Sequence, residues 1–577
     1  MLRQGALVAF LRLLTAPVPR IFAVSLLGAS LAALVWLVFE RAWIGEDAFI
    51  TFRTVDQFVH GNGLRWNPDE RVQAYTHPLW LLACIPFYAA TRSLISAVVT
   101  LGLVCTGGAY LFLGSRLRHR PFVLLVGLFL PLVGSGTFLN YGTSGFENSM
   151  THLCYGAFAW VYLRCLDRGV LPWGALALAG SLAVTNRLDT VLVFIPPIAW
   201  LLLRHFREVR WGRFLLGFPP IVAWLLFATF YYGFPYPNTA LAKVNEEVAR
   251  RIIVLQGLYY VLDLVRRDPV AFLSLCAGLA LTVGHGIRAW RGRGGDASAK
   301  LAALGAGGLL YVGYVVYIGG SYISGRHLLL PALVGTVLWA ELLLRGARRV
   351  TELDLGVVLE SWRPTPRACV GAAGVAVAAG SVLLFGPDLD PRKVATAVAP
   401  PGSHMERYRY IRPIQGARLY LDADLRWQRS AGARKFWELG EKLRGPVAVS
   451  SKIGLSAIAA GRDMIIIDRY ALADPLLARL PPHSFTMVGH FNREVPAGYR
   501  RARETGDLGA MDPALAAYYR PLREIISGPL FSRQRLAEIV SFNLGRYDDQ
   551  LADYVARRSE EDRSWSLGGS PRSEPDE

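Results

Sequence analysis

Two adjacent carboxylates, Glu46 and Asp47, are the residues of this chain that most directly suggest chemistry. They follow the apolar run 21–39, which is long enough to cross a bilayer because a spanning helix needs roughly 20 apolar residues. Carboxylates at the end of a span are costly to hold near lipid and are often functional, although two solvated loop acids are the simpler interpretation. An acid in this place can serve as a general base for an incoming hydroxyl group.

The composition indicates which kind of structure holds these acids. The chain has 577 residues, of which 53% are hydrophobic, and this is typical of a polytopic membrane protein. The formal net charge of +18 is explained by arginine-rich cytoplasmic loops and a surface facing anionic headgroups, so no nucleic-acid partner is predicted. The six cysteines lie in apolar runs and are expected to be small buried side chains rather than disulfides or metal ligands.

Eleven apolar runs are predicted to span the membrane. They are 21–39, 94–115, 121–137, 149–166, 171–186, 190–204, 214–233, 269–288, 300–319, 327–345 and 368–386. The shorter run 78–90 suits an interfacial or re-entrant helix. With the N-terminus cytoplasmic, this count places the arginine-rich connections inside, as the positive-inside rule requires. The C-terminus is then predicted to lie outside the cytoplasm.

The same topology gathers the polar loop motifs on the outer face of the membrane. The candidate site residues there are Glu46, Asp47, His77, Glu147, Arg187, Asp189, Asn238, Lys243, Arg326 and His327. We expect Arg187 and Asp189 to form an internal ion pair, while Glu147 is as well explained as an N-terminal helix charge as by a functional role. His77 and His327 are more simply packing or hydrogen-bonding residues. In the outer loop 41–77, apolar residues at helical spacing between Phe49 and Val59 predict an amphipathic helix lying on the bilayer.

The domain organisation follows from the change in composition near residue 386. Residues 1–386 are predicted to form the membrane domain, 387–401 a linker, 402–556 a small periplasmic α/β domain, and 557–577 a disordered tail. Buried strands are predicted at 447–451, 464–468 and 485–489. His490 and Arg493 of this domain could contact an acceptor, although structural roles explain them equally well. The fold class alone assigns the domain no chemistry.

Together, the outer-face residues favour glycosyl transfer from a polyprenyl-phosphate sugar. Asp47 would remove the proton of the acceptor hydroxyl, and a nearby lysine or arginine would stabilise the phosphate leaving group. Loops at headgroup level suit a donor whose tail lies in the lipid. No cofactor is predicted to be required, although Glu46 and Asp47 could hold Mg²⁺ or Ca²⁺ through their carboxylate oxygens.

Several motifs resemble those of the GT-C class of multi-span glycosyltransferases, and more closely the mycobacterial terminal β-1,2 arabinofuranosyltransferase group and its proteobacterial relatives. The resembling motifs are Glu46-Asp47-Ala48-Phe49-Ile50, Asn62 to Pro68, Glu70 to Gln73, Thr76 to Trp80, Pro237 to Lys243, Ser324-Gly325-Arg326-His327, Leu472 to Leu480 and Gly489 to Pro496. The first-loop motifs and the Pro237 motif are specific when they occur together. Where the family often has Arg-Pro-Asp-Gly, this chain has Arg187-Leu188-Asp189-Thr190.

The resemblance implies a donor of decaprenyl-phosphoryl-arabinofuranose type and a cell-envelope polysaccharide or glycoprotein as acceptor. It also implies a bacterial inner membrane, with the C-terminal domain on the periplasmic side. It implies that Asp47 is the catalytic carboxylate, with Glu46 as the alternative, and that Lys243 and Arg326 contact the donor phosphate, with His77 and His327 nearby. Glu147, Arg187, Asp189 and Asn238 would line the substrate cavity.

Three other functions are weighed against this one. A GT-C enzyme for another lipid-linked sugar, such as mannose or aminoarabinose, would use the same acids and bases. A transporter of lipid-linked glycans is less favoured because the spans lack the mid-membrane charges that line carriers. A scaffold protein would not be expected to sort its acids and bases to one side of the membrane.

Overall fold

A computed structural model describes residues 16–169, 171–243, 250–293, 295–352, 418–421, 427–487 and 489–566. The predicted linker 387–401 and the predicted span 368–386 lie outside these residues. The described chain divides into two compact units. The first unit comprises the described parts of 1–48, 77–222 and 247–434, and the second comprises those of 49–76, 223–246 and 435–577.

The first unit is built from apolar helices. Its helices are Arg20–Glu40, Pro78–Thr91, Leu94–Leu117, Pro121–Leu124, Leu130–Gly134, Gly136–Tyr141, Asn148–Arg168, Trp173–Asn186, Val191–Arg204, Trp211–Leu215, Arg250–Arg267, Pro269–Trp290, Gly295–Tyr317 and Leu329–Glu352. A single π-helical turn, Leu125–Phe129, joins two of them. Three short antiparallel strands complete the unit, in the order Trp43–Gly45, Arg418–Leu421 and Trp427–Arg429.

Among the described residues, five helices are long and apolar enough to cross a membrane. They are Arg20–Glu40, Leu94–Leu117, Pro269–Trp290, Gly295–Tyr317 and a helix whose apolar part is Leu329–Arg349. This confirms the prediction of a helical membrane protein. Each of the first ten predicted spans overlaps a helix. The predicted span 214–233, for example, overlaps the shorter helix Pro219–Tyr232. The total of eleven spans and the side that each loop faces stay predictions.

The second unit mixes helices and short strands. Strand Val447–Ser450 pairs in parallel with Ile465–Asp468, and Ser484–Met487 pairs antiparallel with His490–Asn492. Its helices are Asn238–Lys243, Leu455–Ala459, Tyr499–Thr505, Pro513–Ser527, Arg533–Asn543 and Asp548–Ser566. The chain passes between the units within helices Ala48–Val59, Pro219–Tyr232 and Ala431–Glu441. The last helix extends into the segment that was predicted to be a disordered tail.

The core of the second unit draws on all three of its chain segments. Trp66 from the first, Phe234 from the second and Leu476 and Ile525 from the third belong to one buried apolar cluster. Residues 49–76 are therefore part of the folded core of this unit. Burial of such side chains stabilises the unit by roughly 1.5–3 kcal/mol for each large apolar residue.

The helix Ala48–Val59 forms at the predicted place, but the prediction that it lies on the bilayer is wrong. Most of its residues are buried within the protein, and only Phe58 is largely exposed. Arg53, 1% exposed, explains the difference. Its guanidinium donates to the carbonyls of Trp66 (3.0 Å), Gly461 (2.9 Å) and Met464 (2.7 Å), and also to that of Ala457.

We expect Arg53→Met to lower the unfolding free energy of the second unit by roughly 3 kcal/mol, because several buried carbonyls lose their donor. Hydrogen exchange of residues 455–468 measures the change. Arg462→Met is the matched control, because Arg462 is half-exposed and lies 3.7 Å from Asp56. Such surface pairs contribute about 0–1 kcal/mol. Equal exchange in both variants would contradict this account of the loop.

Candidate functional site

The backbone beside Glu46 and Asp47 is held by a strand pairing and by a close contact with the loop 142–147. Trp43 and Gly45 pair with Tyr420 and Arg418 of the neighbouring strand. The Gly45 amide donates to the Ser144 carbonyl at 3.0 Å. A Cβ atom at Gly45 would lie 2.7 Å from the ring of Phe146, so a larger residue would force that buried ring to move. Asp47, two residues later, is therefore presented from a fixed backbone.

Asp47 has a specific partner in the first unit. The hydroxyl of Tyr322 donates a hydrogen bond to its carboxylate. Both residues are partly buried. A carboxylate that can still reach solvent and that accepts one neutral hydrogen bond keeps lone pairs for a further proton donor.

Glu147 lies at the centre of a second cluster in the same unit. Its side chain is fully buried. Arg326 Nη2 lies 2.9 Å from it, His77 Nδ1 lies 3.4 Å from it, and Arg187 Nη1 also contacts it. Arg187 in turn holds Asp189 with both Nε and Nη2, at 3.0 and 2.5 Å. The expected internal ion pair of Arg187 and Asp189 is present.

The charges of this cluster fix its protonation state. Burial alone would raise the pKa of Glu147, but the nearby charges of Arg326, His77 and Arg187 outweigh it and hold that pKa well below its usual value. Burial alone would lower the pKa of Arg187, but Asp189 and other neighbours hold that pKa well above its usual value. Glu147 and Arg187 are therefore both charged at neutral pH.

Local structure explains why Glu147 points into this cluster. Glu147 immediately precedes helix Asn148–Arg168, and its carbonyl accepts hydrogen bonds from Thr151 and Asn186. Gly145, with a φ of 82°, supplies the turn before it. Trp80 donates to the Gly145 carbonyl at 3.0 Å and so fixes that turn.

The loop 318–328 carries both Tyr322 and Arg326. A Cβ at Gly320 would lie 2.4 Å from the ring of Tyr260, and one at Gly325 would lie 2.5 Å from Thr137, so both positions require glycine. Arg326 stacks over the ring of Phe146, with its guanidinium carbon 3.9 Å from the ring centre. The loop thus reaches the acidic pair with one side chain and Glu147 with another.

Several buried polar atoms near Glu147 have no hydrogen-bond partner within the described part of the chain. They are Arg326 Nε, Asn148 Oδ1, Ser149 Oγ, His152 Nε2 and Asn186 Oδ1. Buried polar atoms are normally paired by protein, water or a ligand. The atoms around Glu147 could therefore accommodate a polar ligand or ordered water.

The structure brings eight of the predicted site residues into the first unit. They are Glu46, Asp47, His77, Glu147, Arg187, Asp189, Arg326 and His327. The backbone amide of His327 donates to the Tyr260 hydroxyl at 3.1 Å. Tyr322 and Tyr311 were missed by sequence reasoning. Tyr311 donates to Asp189 at 3.3 Å from inside an apolar helix, and only the position of Tyr322 between Gly320 and Gly325 could have indicated a role.

The other four predicted site residues lie in the second unit. Asn238 is buried and donates to the carbonyls of Ala471, Leu472 and Asp474. Arg493, 1% exposed, donates to several backbone carbonyls, including that of Ala242 at 2.9 Å. Both arrangements are those of residues that hold the fold together.

His490 and Lys243 occupy more open positions in the second unit. The ring of His490 packs edge-on against Tyr470, with the ring centres 5.1 Å apart. Lys243 ends helix Asn238–Lys243 with an exposed side chain. The ligand-binding roles of Lys243, Asn238, His490 and Arg493 stay predictions.

In the residues that the structure describes, no group of three or more His, Cys, Asp or Glu side chains is placed to hold a metal ion. Glu46 and Asp47 could still hold a divalent cation together with other oxygen ligands. That a cation can bind there stays a prediction.

The fold and this cluster define a helical membrane protein with a buried acid–arginine site. Comparison with curated proteins finds two relatives, both named terminal beta-(1->2)-arabinofuranosyltransferase. The protein of Mycobacterium tuberculosis is 26% identical over 333 residues, which cover 51% of this chain and 52% of the relative. That of Corynebacterium glutamicum is 27% identical over 338 residues, covering 51% and 47%.

The chain spans about half the length of the curated relatives that it matches. Their names confirm the resemblance that the sequence motifs carry. No family model matches the chain. No solved structure matches it significantly.

Proposed function

We propose that this chain is a membrane glycosyltransferase that transfers arabinofuranose from a polyprenyl-phosphate donor to a hydroxyl of a cell-envelope polysaccharide or glycoprotein on the periplasmic side. The observation that carries the proposal is the pairing of Asp47 with Tyr322 in the same unit as the Glu147–Arg187–Arg326 cluster. The similarity to two proteins named arabinofuranosyltransferases supports the sugar.

In this reaction the oxygen of the acceptor hydroxyl attacks C1 of the donor sugar, and Asp47 takes the proton of that hydroxyl. The bond from C1 to the phosphate oxygen breaks, and the electron pair leaves with the polyprenyl phosphate. Negative charge develops on that phosphate, and a guanidinium beside it stabilises the transition state.

Arg326 is suited to hold the phosphate for two reasons. Its Nη2 is engaged by Glu147, while its Nε is buried and has no hydrogen-bond partner within the described residues. That N–H can donate to a phosphate oxygen without breaking the ion pair. Glu147 would orient Arg326 and Arg187 rather than react itself.

The donor sugar is tested by a panel of labelled lipids. The full chain in nanodiscs is given polyprenyl-phosphoryl arabinofuranose, mannose or aminoarabinose, each with a short arabinoside acceptor. We expect transfer from the arabinofuranose donor alone. Transfer from mannose or aminoarabinose instead would retain the enzyme class and overturn the sugar.

We also expect removal of divalent cations to leave the rate within about twofold, because arginines can stabilise the leaving phosphate. The rate is measured after dialysis against EDTA and again after Mg²⁺ or Ca²⁺ is restored. A large loss that either cation reverses would show that Glu46 and Asp47 act through a bound metal.

A further inference from the structure

The residue that contacts Asp47 lies on a tightly held loop. Tyr260 donates to the carbonyl of Ile323 at 3.1 Å, and Tyr141 donates to that of Ser324 at 2.9 Å. The Ser324 hydroxyl donates to Asp263 at 2.5 Å. The two residues that follow Tyr322 are therefore held in place by hydrogen bonds.

We propose that Tyr322 is a positioning residue that holds the Asp47 carboxylate in the orientation needed to accept the proton of the acceptor hydroxyl. The inference rests on the proposed function, in which Asp47 is the general base. An aspartate side chain at the end of a strand can rotate, and a hydrogen bond from a fixed donor selects one orientation. The loop supplies that donor.

Tyrosine is suited to this role because it donates a hydrogen bond without carrying charge. The charged groups that act on its hydroxyl are Asp47, Glu46 and Arg326. Burial, followed by Asp47 and Glu46, raises the pKa of Tyr322 well above its usual value, and Arg326 opposes the change only in part. The hydroxyl thus stays protonated as a donor throughout the neutral range. An arginine or lysine in its place would pair fully with Asp47 and weaken it as a base.

The first test compares Tyr322→Phe with wild type in transfer of the labelled sugar. Loss of a hydrogen bond to a charged group predicts a fall in kcat of roughly 10- to 100-fold, with the KM for the donor within about twofold. The acidic limb of the pH–rate profile is expected to move to higher pH, because the hydrogen bond favours the ionised carboxylate. Tyr110→Phe is the matched control, since its buried hydroxyl donates to Ser30 at 2.7 Å and takes no part in the site.

A second test does not depend on turnover or on the phenylalanine variant. Carbodiimide couples to protonated carboxyl groups, and mass spectrometry of the Asp47 peptide follows the coupling against pH. Replacing Tyr322 with a fluorinated tyrosine strengthens the donor, so we expect coupling at Asp47 to require lower pH than in wild type. Coupling in Tyr110→Phe should match wild type.

The outcomes separate this inference from the proposed function. If wild type transfers no sugar from any donor but coupling at Asp47 shifts as expected, the function is wrong and the positioning contact stands. If wild type transfers arabinofuranose while Tyr322→Phe keeps the wild-type kcat and pH profile, the positioning role is overturned. Unchanged coupling with the fluorinated residue overturns it as well, even if Tyr322→Phe fails to fold.

Discussion

Asp47→Asn is expected to lower the rate of sugar transfer by about 10³-fold, within the range of roughly 10²–10⁴ that a general base contributes. Asparagine has nearly the same shape and can still accept the hydrogen bond of Tyr322, but it cannot take the acceptor proton. Donor affinity, measured by binding of the labelled lipid, should change little. The loss should therefore appear in kcat.

Two matched variants show whether the loss belongs to this carboxylate. Glu46→Gln removes the adjacent acid, and we expect a much smaller effect than that of Asp47→Asn. Asp56→Asn removes a carboxylate of the second unit that pairs with His60 at 3.2 Å, and we expect the wild-type rate. If instead Asp47→Asn kept full activity and Glu46→Gln were inactive, the base would be Glu46.

The second large effect is expected for Glu147→Gln. The substitution leaves the largely buried guanidiniums of Arg187 and Arg326 without their shared carboxylate. Arg187 keeps its pair with Asp189, so the uncompensated charge is that of Arg326. Removing one partner of a buried ion pair costs about 3–5 kcal/mol, because the remaining charge stays buried and uncompensated. We therefore expect a clear fall in the unfolding free energy of the chain in detergent micelles, together with weaker donor binding through a misplaced Arg326.

Asp296→Asn is the stability control for this variant. Asp296 is 44% exposed and lies 3.6 Å from Lys300 and 3.4 Å from Arg204, which is 65% exposed. An exposed pair of this kind contributes about 0–1 kcal/mol. A loss in Glu147→Gln no larger than that in Asp296→Asn would mean that the buried cluster does not hold the first unit together.

The difference in unfolding free energy between wild type and Glu147→Gln depends on pH with a definite sign. The pKa of Glu147 is held below its value in the unfolded chain, so its stabilisation is present above the unfolded pKa of about 4.3. That stabilisation is lost as pH falls through the lowered folded pKa. The gap between wild type and Glu147→Gln should therefore narrow as the pH falls from neutral to strongly acidic conditions.

The apolar helices and the chemistry-bearing loop segments could be predicted from sequence because both depend on local pattern. Long apolar runs predict spans, and this placed helices such as Leu94–Leu117 within a few residues. The Arg187–Asp189 pair could be expected because the two residues are neighbours in the chain. Glu147, Arg187 and Arg326 are all candidates from the sequence, but their pairing could not be predicted, since Arg326 is 179 residues from Glu147.

Contacts across hundreds of residues could not be predicted from local pattern. The strand Trp43–Gly45 pairs with Arg418–Leu421, and neither segment has the length that would indicate a strand. Arg53 appeared to be a polar position of an amphipathic helix, but its carbonyl partners lie about 400 residues later. Tyr322 could not be recognised for the same reason. Its role depends on Asp47, which lies 275 residues earlier in the chain.

In the proposed reaction the chain breaks the bond between sugar and lipid phosphate, whereas a carrier would move the intact lipid. The most direct measurement uses a donor labelled with ¹⁴C in the sugar and ³²P in the phosphate, supplied to the full chain in proteoliposomes with an arabinoside acceptor. We predict that ¹⁴C enters the acceptor while an equal amount of ³²P stays with the lipid. Movement of both labels together to the other leaflet, with no labelled acceptor, would contradict the account and identify a carrier of lipid-linked sugar.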